Sequence, residues 1–331
     1  MLINEKTDRK QRKLKSILAL FLCFVLCGCQ QKPKHGISSL RSHSVYIDKV
    51  YRPGSGPRVT DEVILSEDYP ELLWMTGAKL APKGTEEKAV TQSLLCTATL
   101  EFKSPERHAL LMGREGTPNP KFFYFGTQLE ELNFPSGFAI PIRSNELLLY
   151  RTSWQNRSLY QPAVEAEQEM FVAFSRDAGF QDSERPKALE VFSLFATLED
   201  SVEGAEIRSF PSGMKVKETG SEARTIQWQI PKGKGSLESS VDVFLPKRDR
   251  IVIRAAAGLV YEGWTKLSLY DHTLGKALIE FTPEMPQLFH SYLEGLELER
   301  DHDLRISVSY DEPSVAGKIG LGGIVLYVDK I

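Results

Sequence analysis

Short apolar segments separated by turn residues recur along almost the whole chain, and that rhythm limits the folds open to it. In "LLCTATLEF" (94–102), Leu94, Cys96, Ala98, Leu100 and Phe102 fall on one face of an extended strand, because successive side chains of a strand point to opposite faces. The texture recurs in "KFFYFG" (121–126), "GFAIPI" (137–142), "ELLLYRTSW" (146–154), "EMFVAFS" (169–175) and "LEVFSLFATL" (189–198). It returns in "TIQWQI" (225–230), "RIVIRAAAGLVY" (250–261), "TKLSLYD" (265–271), "LRISVSY" (304–310) and "GGIVLYVD" (322–329). "HALLMG" (108–113) belongs to the same series of short apolar segments. No long stripe of period 3.6 competes, and "AVEAEQEMFV" (163–172) is the best helical window. Strands at short spacing with Gly, Pro, Asn or Asp between them predict an all-β chain of antiparallel sandwiches.

The stretch from residue 61 to 331 is large for one sandwich and suits two. The expected architecture is therefore two tandem antiparallel β-sandwich, jelly-roll-like domains, residues 61–195 and 196–331. The acidic stretch "EDSVEGAE" (199–206) is the candidate seam. Residues 29–60, with Pro33, Gly36, several serines and "RPGSGP" (52–57), read as a flexible tether.

The chain opens on a basic segment, with Lys6, Arg9, Lys10, Arg12, Lys13 and Lys15 against Glu5 and Asp8. An apolar run, Ile17 to Cys27, follows, and it is too short to span a bilayer as a helix. That order is the order of an export signal. "LCGC" (26–29) resembles a bacterial lipobox, with Cys27 where Ala or Ser is commoner. The resemblance implies a signal peptide over residues 1–28 and a mature N-terminus at Cys29 carrying lipid, palmitate among its acyl chains. The expected location is the bacterial cell envelope, and the outer membrane in a Gram-negative host, since Gln30 rather than Asp follows.

Of the four cysteines, Cys23 and Cys27 then leave with the signal and Cys96 is the other one that remains. An internal disulfide framework is excluded, and stability must come from apolar burial. The chain has 41 basic and 44 acidic side chains. Loss of residues 1–28 removes six and two of these, leaving 35 and 42, a net of −7. A mildly acidic surface argues against nucleic acid as a partner. The partner expected is the lipid bilayer, through the acylated N-terminus.

Several segments, taken in order, resemble bacterial relatives of the copper type II, ascorbate-dependent monooxygenases, the family of peptidylglycine alpha-hydroxylating monooxygenase. They are "PELLWMTGAKLAPKG" (70–84), "SLLCTATLEF" (93–102), "FYFGTQLEELNFPSGFAIPI" (123–142), "WQIPKG" (228–233), "KLSLYDHTLGKALIEF" (266–281) and, near the end, "FHSYLEGLELERDHDLRISVSYDEPS" (289–314) with "GGIVLYVDK" (322–330). The resemblance implies two β-sandwiches in tandem with one copper site in each. Imidazole and thioether are the ligands such sites require. Here Thr97, beside Cys96, stands where relatives have the histidine of a Cys-His pair. Leu259 and Tyr261 match the C-terminal His-x-His pair, and Leu321 or a neighbour in "GLGGIVLY" (320–327) matches the terminal methionine. No methionine follows Met285.

The remaining metal candidates are His108, with Cys96 and Met112 nearby in sequence, and His290. His108 and His290 read first as core histidines, and His272 and His302 as turn residues. No cofactor is expected. "GSGP" (54–57) and "GLGG" (320–323) lack the lysine and the strand-to-helix context of a phosphate loop, and "GLGG" reads as relief of crowding in a strand. The sequence therefore points to a non-catalytic, membrane-anchored envelope lipoprotein that keeps a monooxygenase-like double sandwich as a binding or structural module. One alternative is a copper oxidoreductase with a mononuclear site around His108. The other is a surface binder of carbohydrate or peptide, with Trp154 or Trp264 stacking on its ligand.

Overall fold

A computed structural model describes residues 34–51, 56–66, 70–81, 94–112, 119–126, 128–156, 163–199, 208–209, 215–216, 224–242, 244–246, 248, 250–260, 263–312 and 318–329. The first half holds β1 (His35–Arg41), β2 (Val45–Ile47), β3 (Arg58–Val63), β4 (Leu72–Leu80), β5 (Leu95–Phe102) and β6 (Lys121–Gly126). It continues with β7 (Glu131–Asn133), β8 (Phe138–Arg143), β9 (Leu148–Trp154), β10 (Val164–Ala166), β11 (Glu169–Arg176) and β12 (Lys187–Phe195). Four two-residue strands follow: β13 (Leu198–Glu199), β14 (Arg208–Ser209), β15 (Lys215–Val216) and β16 (Arg224–Thr225). The second half holds β17 (Trp228–Ile230), β18 (Gly233–Ser240), β19 (Arg250–Val260), β20 (Trp264–Asp271) and β21 (Lys276–Phe281). It ends with β22 (Phe289–Glu299), β23 (Leu304–Glu312), β24 (Lys318–Gly320) and β25 (Gly322–Asp329).

The fold is all-β, with two sandwich cores. One long sheet runs in the order β1-β11-β4-β8-β12-β25-β19-β22, with β7 beside β4. The four-stranded sheet β3-β9-β5-β6 closes the first core, and β18-β23-β20-β21 closes the second. Pairing is antiparallel except where β12 meets β8, at Lys187↔Phe138 and Ala188↔Ala139. Strands β19 and β25 serve both cores. Ala255, Ala257, Leu259, Val325 and Tyr327 face the first, while Ile253, Ala256, Ile324, Leu326 and Val328 face the second. Alternation across the pleat makes this possible, and a strand buried on both faces reads as a continuous apolar run. "GGIVLYVD" is such a run.

Three expectations are corrected. Much of the stretch read as a tether is sheet: β1 pairs along its whole length with β11, from His35↔Ser175 to Arg41↔Glu169. Its exposed positions are His35, Ile37, Ser39 and Arg41, mostly polar as an edge strand allows, and one residue, Leu40, is buried in the core. The window 163–172, helical in composition at its start and strand-like at its end, holds β10 and the start of β11. Ala166, Gln168, Met170 and Val172 are buried at every second position, and pairing with β1 and β4 on its two sides overrides helix propensity. "HALLMG" starts within a helix, α1 (Pro105–Leu111), which follows Ser104 with Pro at its start and turns His108 and Ala109 inward. Residues 1–33, with the signal segment and Cys29, lie outside the described residues, as do 200–206 of the proposed seam and Tyr261.

Candidate functional site

Three positions singled out by the sequence resemblance, Thr97, Leu259 and Leu321, lie together. Cys96 and Thr97 at the start of β5, Gly126 at the end of β6, Leu259 on β19 and Leu321 before β25 line one cleft of about 350 Å³, its open mouth included. The cleft lies where the two cores adjoin. A backbone hydrogen bond from Leu288 N to Gln128 O, 3.2 Å, ties its two sides.

Its chemistry follows from its walls. Leu259 and Leu321 are buried and present isobutyl groups. The Thr97 hydroxyl is engaged with Ser153 Oγ at 2.6 Å. Cys96 supplies a buried thiol. A copper pair of the family type needs imidazoles and a thioether. The described residues of the cleft do not fit it, and Tyr261 lies outside them.

His108 sits elsewhere. Its ring stacks on Phe102, with centroids 3.8 Å apart and planes 20° apart. Phe102 is six residues along β5 from Cys96, about 20 Å at the rise of a strand. His108 is fully buried, with Nδ1 at 3.1 and 3.2 Å from the two carboxylate oxygens of Glu146, which leads into β9. The other ring nitrogen, Nε2, is buried and has no hydrogen-bond partner among the described residues. The dyad has the form of an oriented base, but solvent does not reach the ring.

The other candidates do not join it. Met112 caps the C-terminus of α1, and its amide donates to His108 O at 3.0 Å. His290, on β22, stacks against Phe281 at 4.8 Å and hydrogen-bonds Glu280 O at 3.0 Å. Among the described residues no three His, Cys, Asp or Glu side chains form a metal-holding group. Of the two tryptophans considered for stacking on a ligand, Trp154 is fully buried, and Trp264 is half-buried at the start of β20.

Sequence reasoning missed a second histidine–carboxylate pair. His302, between β22 and β23, donates from Nδ1 to Asp271 Oδ2 at 2.7 Å. That hydrogen bond holds the imidazole above its usual range. Burial pushes the Asp271 carboxyl up, but His302 and the Leu274 amide, which donates to Oδ1 at 2.9 Å, outweigh it and leave it below the usual range. The two residues stand 31 apart in sequence, so no local spacing announces them.

No family model and no curated protein matches the chain. Among solved structures it is similar to the major capsid protein P2 from bacteriophage PM2, at 8% identity over 88% of this chain and 97% of that one, with a TM-score of 0.31. It is also similar to the STIV MCP, at 9% identity over 88% and 96%, with a TM-score of 0.33. Likenesses this distant carry no argument about function.

Proposed function

We propose that the protein is a membrane-anchored envelope lipoprotein whose double β-sandwich acts as a non-catalytic binding or structural module. The observation that carries the non-catalytic part is the chemistry of the cleft. Its walls bring together Thr97, Leu259 and Leu321, three positions that the monooxygenase resemblance assigns to copper ligation, and none of the three carries an imidazole or a thioether. The anchoring part rests on the basic start, the apolar run and "LCGC" at 26–29.

Two measurements test this reading. Substituting Cys29→Ser is expected to release the protein from the membrane fraction. A variant that stays bound and keeps the unprocessed size sinks the anchor. The purified wild-type protein, titrated with copper, is expected to bind weakly and to show no ascorbate-dependent oxygen uptake. Tight stoichiometric binding that is lost in His108→Ala would revive the oxidoreductase reading.

A further inference from the structure

One end of the first sandwich is built from segments far apart in sequence. β1 begins there, with His35 opposite Ser175 of β11. The next pairings along the sheet are Ser175↔Trp74 and Leu72↔Arg143, so the end of β8 lies at the same end. The chain then passes through Ser144 to Leu147 and enters β9, whose Leu148 pairs with Val63 and with Phe102. Phe102 leads into α1, which is held back against this turn by His108 and Glu146. The entry to β1, the turn before β9 and α1 thus share one end.

That end exposes large apolar side chains. Leu110 is 80% exposed, Leu111 41% and Leu147 44%, and Ile37 is 72% exposed two residues into β1. Full burial of such a side chain is worth about 1.5–3 kcal/mol. The exposed Arg107 and Arg143 flank them. The acidic side chains on the same segments are the exposed Glu106, Glu62, which is paired with Lys103 at 2.6 Å, and Glu146, which is buried against His108. Exposed leucines flanked by two arginines suit the interface of an anionic bilayer.

We infer that this end of the sandwich rests on the lipid bilayer, with Leu110, Leu111 and Leu147 inserted among the headgroups. The inference rests on lipid attachment at Cys29, and chain length selects the occupant. Five residues separate Cys29 from His35, so the two can stand at most about 20 Å apart. The opposite end of β1 is about another 20 Å away. Tyr46 follows it, on β2, and is 65% exposed. Because the chain enters β1 at the leucine-bearing end, a slack tether keeps that end at the membrane, and the Tyr46 end reaches it only with the tether drawn out to its full length.

The test uses the full lipidated chain in vesicles of phosphatidylethanolamine and phosphatidylglycerol that contain a bromine-labelled lipid. A fluorophore is attached in turn to Leu110→Cys, Leu147→Cys and Tyr46→Cys, with the parent protein as the control for labelling of buried Cys96. Quenching is expected to be several-fold stronger at positions 110 and 147 than at 46. Membrane-bound protein with equal quenching at all three positions overturns the docked end and leaves the lipoprotein reading standing. Wild-type protein recovered without the membrane overturns both. A second variant, Leu110→Glu with Leu147→Glu, keeps the Cys29 anchor and should fold, because both sites are exposed. It is expected to lower the quenching of a label at Ile37→Cys, and an unchanged signal there also counts against the docked end.

Discussion

His108 and Glu146 meet in the first core although 38 residues separate them. Removing one partner of a buried pair strands the other, at a cost of about 1–3 kcal/mol, whereas replacing both with apolar groups is close to neutral. Glu146→Leu is therefore expected to destabilise the protein in denaturant unfolding, and His108→Phe with Glu146→Leu to recover most of the loss. Equal costs for the single and double variants would show that the two side chains are not coupled. His302 and Asp271 predict a pH dependence. The imidazole is raised in the folded state, so its contribution is complete below the unfolded value of about 6.5 and is lost as pH rises through the higher folded value. The carboxyl is lowered, so its contribution is present above the unfolded value and is lost as pH falls through the folded one. The pair stabilises most between these limits. His302→Ala should lower the thermal midpoint near about pH 6 more than near about pH 9, and a uniform loss across that range would contradict the assignment. At this scale His108 was legible as a core histidine, because it sits in an apolar run. Its partner was not, because nothing local marks the one glutamate that folds against it.

At the scale of elements, β1 separates two readings of the same residues. A tether would tolerate any substitution. A strand with Leu40 buried in the core should lose about 2–5 kcal/mol on Leu40→Ala. Urea unfolding decides, and an unchanged midpoint would restore the tether. The strands with strict alternation were legible, "LLCTATLEF" and "ELLLYRTSW" among them, because one buried face imposes period two. The reading of "GLGG" as relief of crowding agrees with the packing: a Cβ on Gly322 would collide with Val308, and one on Gly323 would stand 2.8 Å from the Phe195 ring. β1 was not legible, because an edge strand can be polar along nearly all its length. β10 and the start of β11 were not, because "AVEAEQEM" favours a helix until two neighbouring strands supply its hydrogen bonds.

Across the whole molecule, β19 and β25 couple the two cores. Tyr327 fills the first, and its hydroxyl donates to Phe122 O at 3.0 Å, while Leu326 and Val328 beside it fill the second. Neither core can lose these strands alone. Calorimetry should therefore show one unfolding transition, and Leu326→Ala should shift all of it by lowering stability about 2–5 kcal/mol. Two separate transitions, only one of them moved by the substitution, would show that the cores unfold independently.

The pattern of apolar and polar residues was enough to determine the all-β class and most of the strands, because side-chain alternation is a local property of extended chain. The type of side chain at the matched cleft positions, leucine at 259 and 321 and threonine at 97, was likewise settled residue by residue. Tertiary structure alone decided that Cys96, Thr97, Leu259 and Leu321 share one cleft, that His108 stands far from it, and that one long sheet joins both cores. Each of these depends on pairings between residues tens to hundreds of positions apart. Such contacts form only when the buried faces of distant strands find one another, and no local spacing records which faces those will be.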